Sequence, residues 1–456
     1  MNVDGRVIRI VNRSGLPDFQ AFLNSATARR FVEQGRLVRT ELLHPATADN
    51  LFERPTAGEL VVEHERVPFQ SFPYEWPPEM LHAAGSLTLD LAESLLNDGF
   101  GLKDATPYNI LFRGPHPVFI DLLSFEKRDP GDPIWLPYAQ FMRTFLLPLL
   151  VNKHFGTPLD QLLTVRRDGL EPEDVYRLCG PLRRLLPPFL SLASIPTWLA
   201  ARQSQDDQKI YQRKSLDNPE KARFILETLF KRLRRVLKKV EPGAGRKSAW
   251  SDYMGANNNY SDEHFRAKHR VVYDAMAEFT PQRVLDVGCN TGHFSEIAAK
   301  RGARVVAIDY DPVVVGETWR RAKAENLDIL PLVVNLTRPS PAIGWRNQEC
   351  PAFLERARGA FDAVLMLAVM HHMLVSERIP LPEIIDLAAE LTADLLVIEF
   401  IAPADSMFRR ITRGRDYLFA DLTVGSFEEA CRRKFEIVRS QHLEGTSRWL
   451  YLLRKR

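Results

Sequence analysis

A strand that leads into a glycine-containing turn is the most chemically informative segment of the chain. It covers residues 284–295 (VLDVGCNTGHFS), where a short apolar strand is followed by the turn and the start of a helix. Backbone N–H groups gather at such a turn, at the mouth of a parallel sheet, and predict a site for a nucleotide-like cofactor. The dinucleotide fingerprint is not met, because Gly288 is followed by Asn290 and Gly292 comes one position early. The pattern therefore disfavours NAD.

Two carboxylates end neighbouring strands of the predicted sheet. Asp286 lies at the tip of the first strand, and Asp309 ends the next one, residues 305–309. A carboxylate at this place would repel a pyrophosphate and attract a cationic ammonium or sulfonium group. S-Adenosylmethionine carries both cations, so the charges predict it as the cofactor. Asp309 is in the position to accept hydrogen bonds from both ribose hydroxyls.

These two segments resemble the first two motifs of class I S-adenosylmethionine-dependent methyltransferases, in which a strand, an acidic residue and a G-x-x-x-G-type turn hold the cofactor. The resemblance implies that Asn335, after the third strand, contacts the adenine amino group and that Leu367 lines the adenine and methionine. The predicted cofactor-binding residues are Asp286, Gly288, Asn290, Gly292, Asp309, Asn335 and Leu367. The alternative is a strand, turn and helix with one glycine pair, as found in many α/β proteins.

Paired histidines follow the fourth predicted strand. The segment 361–374 (FDAVLMLAVMHHML) places His371 and His372 just beyond the carboxyl edge of the sheet, where substrates of open α/β sheets bind. Methyl transfer to a hydroxyl requires alignment and removal of its proton near neutral pH, which a histidine can perform. We predict His371 or His372 as this base, and the alternative is that the pair packs or caps the next helix. The Asn/Asp-Pro-Pro-aromatic motif of DNA and RNA amino-methyltransferases is absent here, which argues against N-methylation of a nucleic-acid base.

An aromatic and asparagine-rich loop precedes this region. It covers residues 250–261 (WSDYMGANNNYS) and contains Trp250, Tyr253 and Tyr260 around a glycine and three asparagines. We predict that it covers the cofactor as a lid. Docking of its aromatic side chains on the neighbouring domain stays open as the alternative.

The N-terminal half carries a second set of polar residues, in the segment 101–126 (GLKDATPYNILFRGPHPVFIDLLSFE). Asp104 and Asn109 precede an apolar strand, residues 118–120, and Asp121 follows it, an arrangement that phosphoryl transfer uses for a base and two magnesium ligands. The spacing resembles the catalytic loop and metal-binding Asp of the protein-kinase-like and aminoglycoside-phosphotransferase superfamily. The resemblance implies Asn109 and Asp121 as metal ligands, and Mg-ATP as a second cofactor, if this domain is active.

The segment departs from the kinase pattern in three ways. The usual histidine of the loop is missing ahead of Asp104, no G-x-G-x-x-G precedes it, and no lysine precedes Lys103. A kinase needs a strand lysine to hold the α- and β-phosphates, so conventional ATP binding would require an arginine in its place. We therefore expect a degenerate kinase-like domain. A structural role, in which Asp104 caps a turn and Asp121 ends a strand, stays open.

Alternating strands and helices in the C-terminal region predict a doubly wound parallel sheet. The strand-like runs are 284–287, 304–308, 329–334, 363–366, 395–401, 435–442 and 448–453. The connection between the last two is too short for a crossover helix, so these two should form an antiparallel hairpin at the sheet edge. The predicted fold class is α/β, with a seven-stranded Rossmann-like methyltransferase sheet preceded by an α+β protein-kinase-like domain. In that domain residues 61–76 would correspond to the hinge and 135–201 to the helical lobe.

The length of 456 residues favours two domains rather than one hydrophobic core. Residues 206–247 are rich in Lys and Arg, with apolar residues at helical spacing, and predict a connecting amphipathic helix whose basic face is solvated. Contact of that face with RNA or anionic lipid is the alternative. The predicted domains are a degenerate kinase-like domain at 1–205, a basic helical linker at 206–247 and a methyltransferase domain at 248–456.

The composition is that of an ordinary globular protein, with 45% hydrophobic and 26% charged residues. A net charge of +3 does not indicate nucleic acid as a partner. The N-terminus has no recognisable secretory or transit signal, which predicts a cytoplasmic location. The most apolar segment, 185–201, contains three prolines and predicts buried, kinked helices rather than a membrane span. The four cysteines are far apart in the chain and predict reduced structural thiols.

The segment LKDATPYNILF, taken with the methyltransferase motifs, resembles the nodulation-protein NoeA-like group of bacterial methyltransferases. This resemblance spans most of the chain and implies a bacterial cytosolic enzyme that acts on a small molecule, sugar or peptide-derived acceptor. Our first interpretation is O-methylation of a small-molecule or carbohydrate-like acceptor presented by the N-terminal domain. Two alternatives stay open: a bifunctional methyltransferase and phosphotransferase, and a non-catalytic cofactor-binding scaffold.

Overall fold

The computed structural model describes residues 2–3, 5–52, 60–202, 215–248, 250–251 and 262–456. It divides the chain into two compact units. The first contains Met1–Tyr74 and Pro78–Pro242, and the second contains Glu75–Pro77 and Gly243–Arg456. The division after Pro242 lies within the segment that the sequence predicts as a linker.

Antiparallel strands form the β-structure of the first unit. They are β1 Asn2–Val3, β2 Arg6–Val11, β3 Thr40–Leu42, β4 Leu60–His64, β5 Phe100–Leu102, β6 Ile110–Arg113, β7 His116–Phe119 and β8 Phe125–Lys127. One sheet has the order β1-β2-β4-β3, while β5 pairs with β8 and β6 pairs with β7. The β6–β7 hairpin separates Asn109 from Asp121, so both residues lie at the same end of it.

Helices make up most of the rest of this unit. They are α1 Leu16–Leu23, α2 Ala26–Glu33, α3 Pro45–Phe52, α4 Pro78–Leu95, α5 Tyr138–Phe141, α6 Leu147–Phe155, α7 Leu159–Leu163, α8 Pro172–Leu178, α9 Pro181–Arg184, α10 Ile195–Ala200 and α11 Pro219–Lys239. Helix α4 is apolar around most of its circumference and is buried along most of its length, as expected of a helix at the centre of a core.

Helix α11 is the amphipathic helix that the sequence predicts within 206–247. It begins with Asn218, whose side chain accepts a hydrogen bond from the Lys221 N–H, so the N-terminus is capped. Its apolar face is buried, and its Arg234 reaches α4, where it pairs with Asp90 at 2.7 Å and Glu93 at 2.6 Å. The helix is therefore packed within the first unit.

The apolar segment 185–201 differs from its prediction. Leu185, Leu186 and Leu199 are each more than half exposed, so the prediction of buried helices is wrong for these side chains. Only short helical turns form here, and they bury one face through residues such as Leu192 and Ala193. Across the described ranges, no helix combines the length and the apolar character that crossing a membrane requires.

The strands of the second unit form one sheet. They are β9 Arg283–Val287, β10 Arg304–Asp309, β11 Ile329–Val333, β12 Phe361–Met366, β13 Thr392–Ile401, β14 Phe435–His442 and β15 Arg448–Lys455. In the part of the chain that the structure describes, the order is β11-β10-β9-β12-β13-β15-β14, a sheet of seven strands. The first five run parallel, whereas β14 and β15 form an antiparallel hairpin that pairs with β13 through β15.

Helices cover this sheet. They are α12 Asp262–Phe279, α13 His293–Lys300, α14 Pro312–Ala324, α15 Phe353–Ala357, α16 Met370–Val375, α17 Leu381–Leu391, α18 Ser406–Thr412 and α19 Val424–Arg432. The inner strands are apolar on both faces because helices pack on both sides; all five residues of β11 are buried. The strand order reverses between β9 and β12, and their carboxyl ends form the crevice where open α/β sheets bind ligands.

Candidate functional site

The turn between β9 and α13 has a backbone conformation that depends on glycine. Gly288 and Gly292 both have positive φ angles, +69° and +79°. A Cβ atom at Gly288 would collide with the side chain of Val369, and one at Gly292 would lie 2.6 Å from Cγ2 of Thr318. The Gly288 N–H donates to the Ile308 carbonyl at 2.8 Å, which fixes the turn against β10.

Asp309 connects this turn to the end of β10. Its carboxylate accepts hydrogen bonds from the Asn290 N–H and the Asp311 N–H, each at 3.0 Å. The side chain is almost fully buried, and burial raises the pKa of the carboxyl to about 6. The Tyr310 backbone adds a third hydrogen bond, and a carboxylate has about four lone-pair positions, so at least one remains for a ligand.

Asp286 has a different environment from the one the sequence predicts. Its carboxylate lies beneath the turn and accepts a hydrogen bond from Ser295 Oγ in α13, at 2.6 Å. Burial, opposed by this hydrogen bond and reinforced by the charge of Asp309, raises the pKa of Asp286 to about 6. The side chain thus holds the first turn of α13 in place.

A cavity of about 330 Å³ opens at the carboxyl ends of β9, β10 and β12, a size within the usual range for small-ligand sites. It is lined by Trp250, Val287, Gly288, Asn290, Ile308, Asp309, Tyr310, Val334, Asn335, Leu336, Thr337, Leu367, Ala368, Val369, His372, Met373, Ser376 and Glu377. All the predicted site residues of this unit lie in the described ranges. Asp286, Gly292 and His371 are the ones that do not line the cavity.

Asn335 and Leu367 contribute an amide and an apolar wall. The side-chain oxygen of Asn335 accepts hydrogen bonds from the N–H and the hydroxyl of Thr337, at 3.0 and 2.6 Å. This turn orients the amide at the edge of the cavity. Leu367 is buried directly after β12, and Ala368 next to it has a φ of +55°, a conformation that is uncommon for a residue other than glycine.

The two histidines of α16 have different environments. His372 lines the cavity, where its ring meets Trp250 edge to face with 5.4 Å between the centroids. His371 is buried, and its Nδ1 has no hydrogen-bond partner among the described residues. Burial lowers the pKa of both rings, and for His371 the charges of His372, Arg448 and Lys268 lower it further. Both imidazoles are therefore neutral at neutral pH.

Some cavity residues were not selected from the sequence. Tyr310 lines the cavity and directly follows Asp309 at the end of β10. An aromatic residue at the end of a strand is the sequence signal that could have identified it as a site residue. Trp250 belongs to the predicted lid, and its carbonyl accepts a hydrogen bond from the Asn290 side chain at 3.0 Å. Tyr253, Tyr260 and most other residues of the predicted lid lie outside the described residues.

The two predicted metal ligands of the first unit, Asn109 and Asp121, form hydrogen bonds or an ion pair with other protein side chains. One oxygen of Asp121 pairs with Arg9 of β2, and the other accepts a hydrogen bond from Ser124 Oγ at 2.7 Å. Asn109 donates to the same Ser124 Oγ at 3.0 Å. Asp104 is exposed. A magnesium ion at Asp121 would share the carboxylate with the Arg9 cation, and repulsion between the two cations opposes Mg-ATP binding in this arrangement.

Comparisons with known proteins show which family the chain is related to. A methyltransferase domain family model matches residues 226–439. Nodulation protein NoeA of Rhizobium meliloti is 30% identical over 449 residues, which cover 98% of this chain and 91% of the relative. A ubiquinone biosynthesis O-methyltransferase of Xanthomonas oryzae pv. oryzae is 31% identical over 99 residues, 22% of this chain and 36% of that protein.

Among solved structures, the chain matches the N-methyltransferase NodS from Bradyrhizobium japonicum WM9 at 18% identity and a TM-score of 0.32, over 43% of this chain and 98% of that chain. The identity to NoeA and its coverage of both chains decide the relationship. The chain belongs to the family of nodulation protein NoeA and is a class I S-adenosylmethionine-dependent methyltransferase.

Proposed function

We propose that the chain O-methylates a small-molecule or carbohydrate-like acceptor, using residues 248–456 as its methyltransferase domain. The observation that carries the proposal is that one cavity is lined by both the Asp309 carboxylate and the His372 imidazole. The Asp309 carboxylate binds the cofactor, and the His372 imidazole takes up a proton. A hydroxyl acceptor needs a base, so the pairing of these two groups favours oxygen as the methylated atom.

The cavity suits the nucleoside part of the cofactor. Asp309 supplies a carboxylate for the ribose hydroxyls, Asn335 an amide for the adenine, and Leu367 an apolar wall. Gly288 and Asn290 bring backbone close to the ligand. Gly292 and Asp286 act indirectly in this proposal, since Gly292 permits the turn and Asp286 fixes the start of α13.

When bound, S-adenosylmethionine supplies a methyl group on a positively charged sulfur. His372 accepts the proton of the acceptor hydroxyl on a ring nitrogen as the acceptor oxygen takes the methyl carbon and the S–C bonding pair returns to sulfur. Burial keeps the pKa of His372 below its ordinary value, so the ring is neutral and ready for that proton. Trp250 packs against the ring and restricts its orientation.

The name of one relative is consistent with oxygen as the methylated atom. The Xanthomonas relative is an O-methyltransferase of ubiquinone biosynthesis. The choice of oxygen for this chain rests on the chemistry of His372.

The test is methyl transfer with purified full-length protein and isotope-labelled S-adenosylmethionine, using a bacterial small-molecule extract as the source of acceptor. NMR of the labelled product distinguishes a methyl group on oxygen from one on nitrogen. The expected product is an O-methylated compound that is absent with Asp309→Ala. A labelled N-methyl product, or no product beside tight binding of S-adenosylhomocysteine, would overturn the proposal.

We further propose that the first unit is a degenerate kinase-like domain, with predicted limits at 1–205. Arg9 supports this proposal, because a strand arginine in place of the missing lysine lies against Asp121. The hairpin β6–β7 between Asn109 and Asp121 supports it as well. The ion pair of Asp121 counts against phosphoryl transfer by this unit.

A further inference from the structure

A second cavity, of about 920 Å³, lies in the C-terminal unit and is lined by arginines. Arg378 follows α16, Arg410 lies in the last turn of α18, and Arg413 and Arg415 follow that helix. Three of them therefore come from one segment and the fourth from another. All four side chains are exposed, so the cavity presents a concentration of positive charge to solvent.

These arginines are not held in ion pairs. Within the described ranges, their guanidinium groups make no ion pair or hydrogen bond with a protein group. Of the neighbouring acids, Glu377 pairs with Arg338 at 2.7 Å, and Asp416 accepts a hydrogen bond from Thr412 Oγ1 at 3.1 Å.

Two of the arginines lie in turns with left-handed backbone. Arg378 and Arg413 have φ angles of +58° and +51°. Arg413 is the C-cap residue of α18, a place where helices commonly end in this conformation. Gly414, with φ of +80°, continues the turn after Arg413. This turn presents Arg413 and Arg415 to the cavity.

The arginine-lined cavity adjoins the cofactor cavity. Ser376 lines both of them. Its N–H donates to the carbonyl of His372 at 2.9 Å, so Ser376 lies one helical turn after the proposed base. Helix α16, which carries His372, packs against α18, which carries Arg410. A molecule that spans the two cavities would place one end at the arginines and the other at His372.

We infer that the arginine-lined cavity binds an oxyanion group (phosphate, sulfate or carboxylate) of the methyl acceptor. This inference rests on the proposed function, and it specifies the acceptor as an anionic molecule. Planar guanidinium groups recognise such oxyanions through paired, charge-assisted hydrogen bonds. The competing explanation is that a cation near the end of α18 complements the helix dipole. That explanation covers Arg410 but leaves Arg378 and Arg415 unexplained.

The experiment measures binding of inorganic phosphate, sulfate and acetate to the full-length protein by calorimetry, with chloride used to hold ionic strength constant. The test variant is Arg410→Gln/Arg413→Gln, which removes two charges at constant side-chain length. The matched control is Arg409→Gln, which neutralises the neighbouring exposed arginine on the same helix, outside the cavity. Binding of S-adenosylhomocysteine is measured in each protein as an independent readout.

We expect wild type to bind at least one oxyanion and the double variant to bind it at least about tenfold more weakly. Arg409→Gln should stay within about twofold of wild type. The anion bound most tightly assigns the group as phosphate, sulfate or carboxylate. If the double variant loses S-adenosylhomocysteine binding, Arg410→Gln and Arg415→Gln are measured singly.

Two results would overturn the inference: no oxyanion binding by wild type, or equal binding by wild type and the cavity variants. Failure of wild type to bind S-adenosylhomocysteine would instead count against the proposed function. The two failures are thus separable.

Discussion

Lys268 and Glu399 form an ion pair inside the C-terminal unit, with 2.6 Å between Nζ and Oε2 and almost no solvent contact for either side chain. Arg448 lies on the other oxygen of Glu399 at 3.5 Å and pairs with Asp405 at 2.8 Å. The positive charges of two side chains and the negative charges of two others therefore neutralise one another within one buried cluster. After burial and the charge of His372, the cations Arg448 and Lys268 of this cluster further lower the pKa of His371.

Glu399→Gln should destabilise the C-terminal unit strongly. The substitution leaves Lys268 and Arg448 with one anion between them, and removal of one partner from a buried ion pair costs about 3–5 kcal/mol. Burial already lowers the pKa of Lys268 to about 8, and loss of the Glu399 charge would lower that pKa further. Denaturant unfolding, followed by tryptophan fluorescence, measures the change in the free energy of unfolding.

The matched control is Glu390→Gln, which removes the acid of the exposed pair Arg358–Glu390 at 3.2 Å. Exposed pairs contribute about 0–1 kcal/mol, so this variant should remain close to wild type. Similar losses for the two variants would show that the buried position of Glu399 has no special energetic role.

The first three strands of the C-terminal sheet were predictable because each is a short apolar run that ends at a polar residue or a glycine. The run 284–287 corresponds to the observed Arg283–Val287, and 304–308 to Arg304–Asp309. Strand β15 continues to Lys455, beyond its predicted end at residue 453. That lysine donates to the carbonyls of Ala389 and Thr392, a tertiary contact with no signal in the local sequence.

The candidate site was predictable only in part, because sequence gives the position of a residue but not the direction of its side chain. Asp309 and Asp286 both end strands, yet Asp309 lines the cavity and Asp286 points to Ser295. His371 and His372 are adjacent on one helix, where successive side chains point about 100° apart. The arginine-lined cavity combines segments that only the tertiary fold brings together.

The affinity for S-adenosylhomocysteine should fall as the pH is lowered through about 6, the pKa to which burial raises Asp309. The ionised carboxylate is the better acceptor for ribose hydroxyls, so protonation weakens binding.

The stability of the free protein has the opposite dependence on pH. The folded-state pKa lies above the unfolded value of 3.8, so the stability that protonated Asp309 contributes is lost as pH rises through about 6.

Calorimetric titration between about pH 5 and pH 8 measures this dependence. Asp309→Asn should bind more weakly at neutral pH and show a flatter profile, with the remaining slope assigned to Asp286, whose pKa is also about 6. An Asp309→Asn profile parallel to that of wild type would contradict the assignment of Asp309 to cofactor binding.

Gly288→Ala should weaken cofactor binding by about tenfold or more, because the added methyl collides with Val369 and the positive φ adds about 1–2 kcal/mol of strain. Gly302→Ala is the matched control, since Gly302 has φ of +89° and no atom within 4 Å of a new Cβ. The control should lose stability and keep its affinity. Val369→Ala in the Gly288→Ala background should restore part of the binding, and an absence of any rescue would argue against this collision as the cause.

Mg-ATP should leave the melting temperature of the protein unchanged. The carboxylate of Asp121 already pairs with the Arg9 cation and accepts a hydrogen bond from Ser124, and the positive charge of Arg9 opposes binding of a metal cation beside it. A ligand that binds only the folded state raises the melting temperature, and S-adenosylhomocysteine provides that positive control in the same sample. Stabilisation by Mg-ATP that disappears in Asp121→Asn would show an active nucleotide site and favour the bifunctional alternative.

His372→Phe should lower the rate of methyl transfer by about 10²–10⁴-fold, the usual contribution of a general base, while S-adenosylhomocysteine still binds. Phenylalanine keeps the ring contact with Trp250 but cannot accept a proton. His371→Phe is the matched variant on the same helix, and because His371 is buried outside the cavity we expect it to change stability more than the rate. Single-turnover kinetics measure the chemical step and calorimetry the affinity. Comparable losses of rate in the two variants, at equal cofactor affinity, would remove the case for His372 as the base and leave alignment as the main contribution of α16 to methyl transfer.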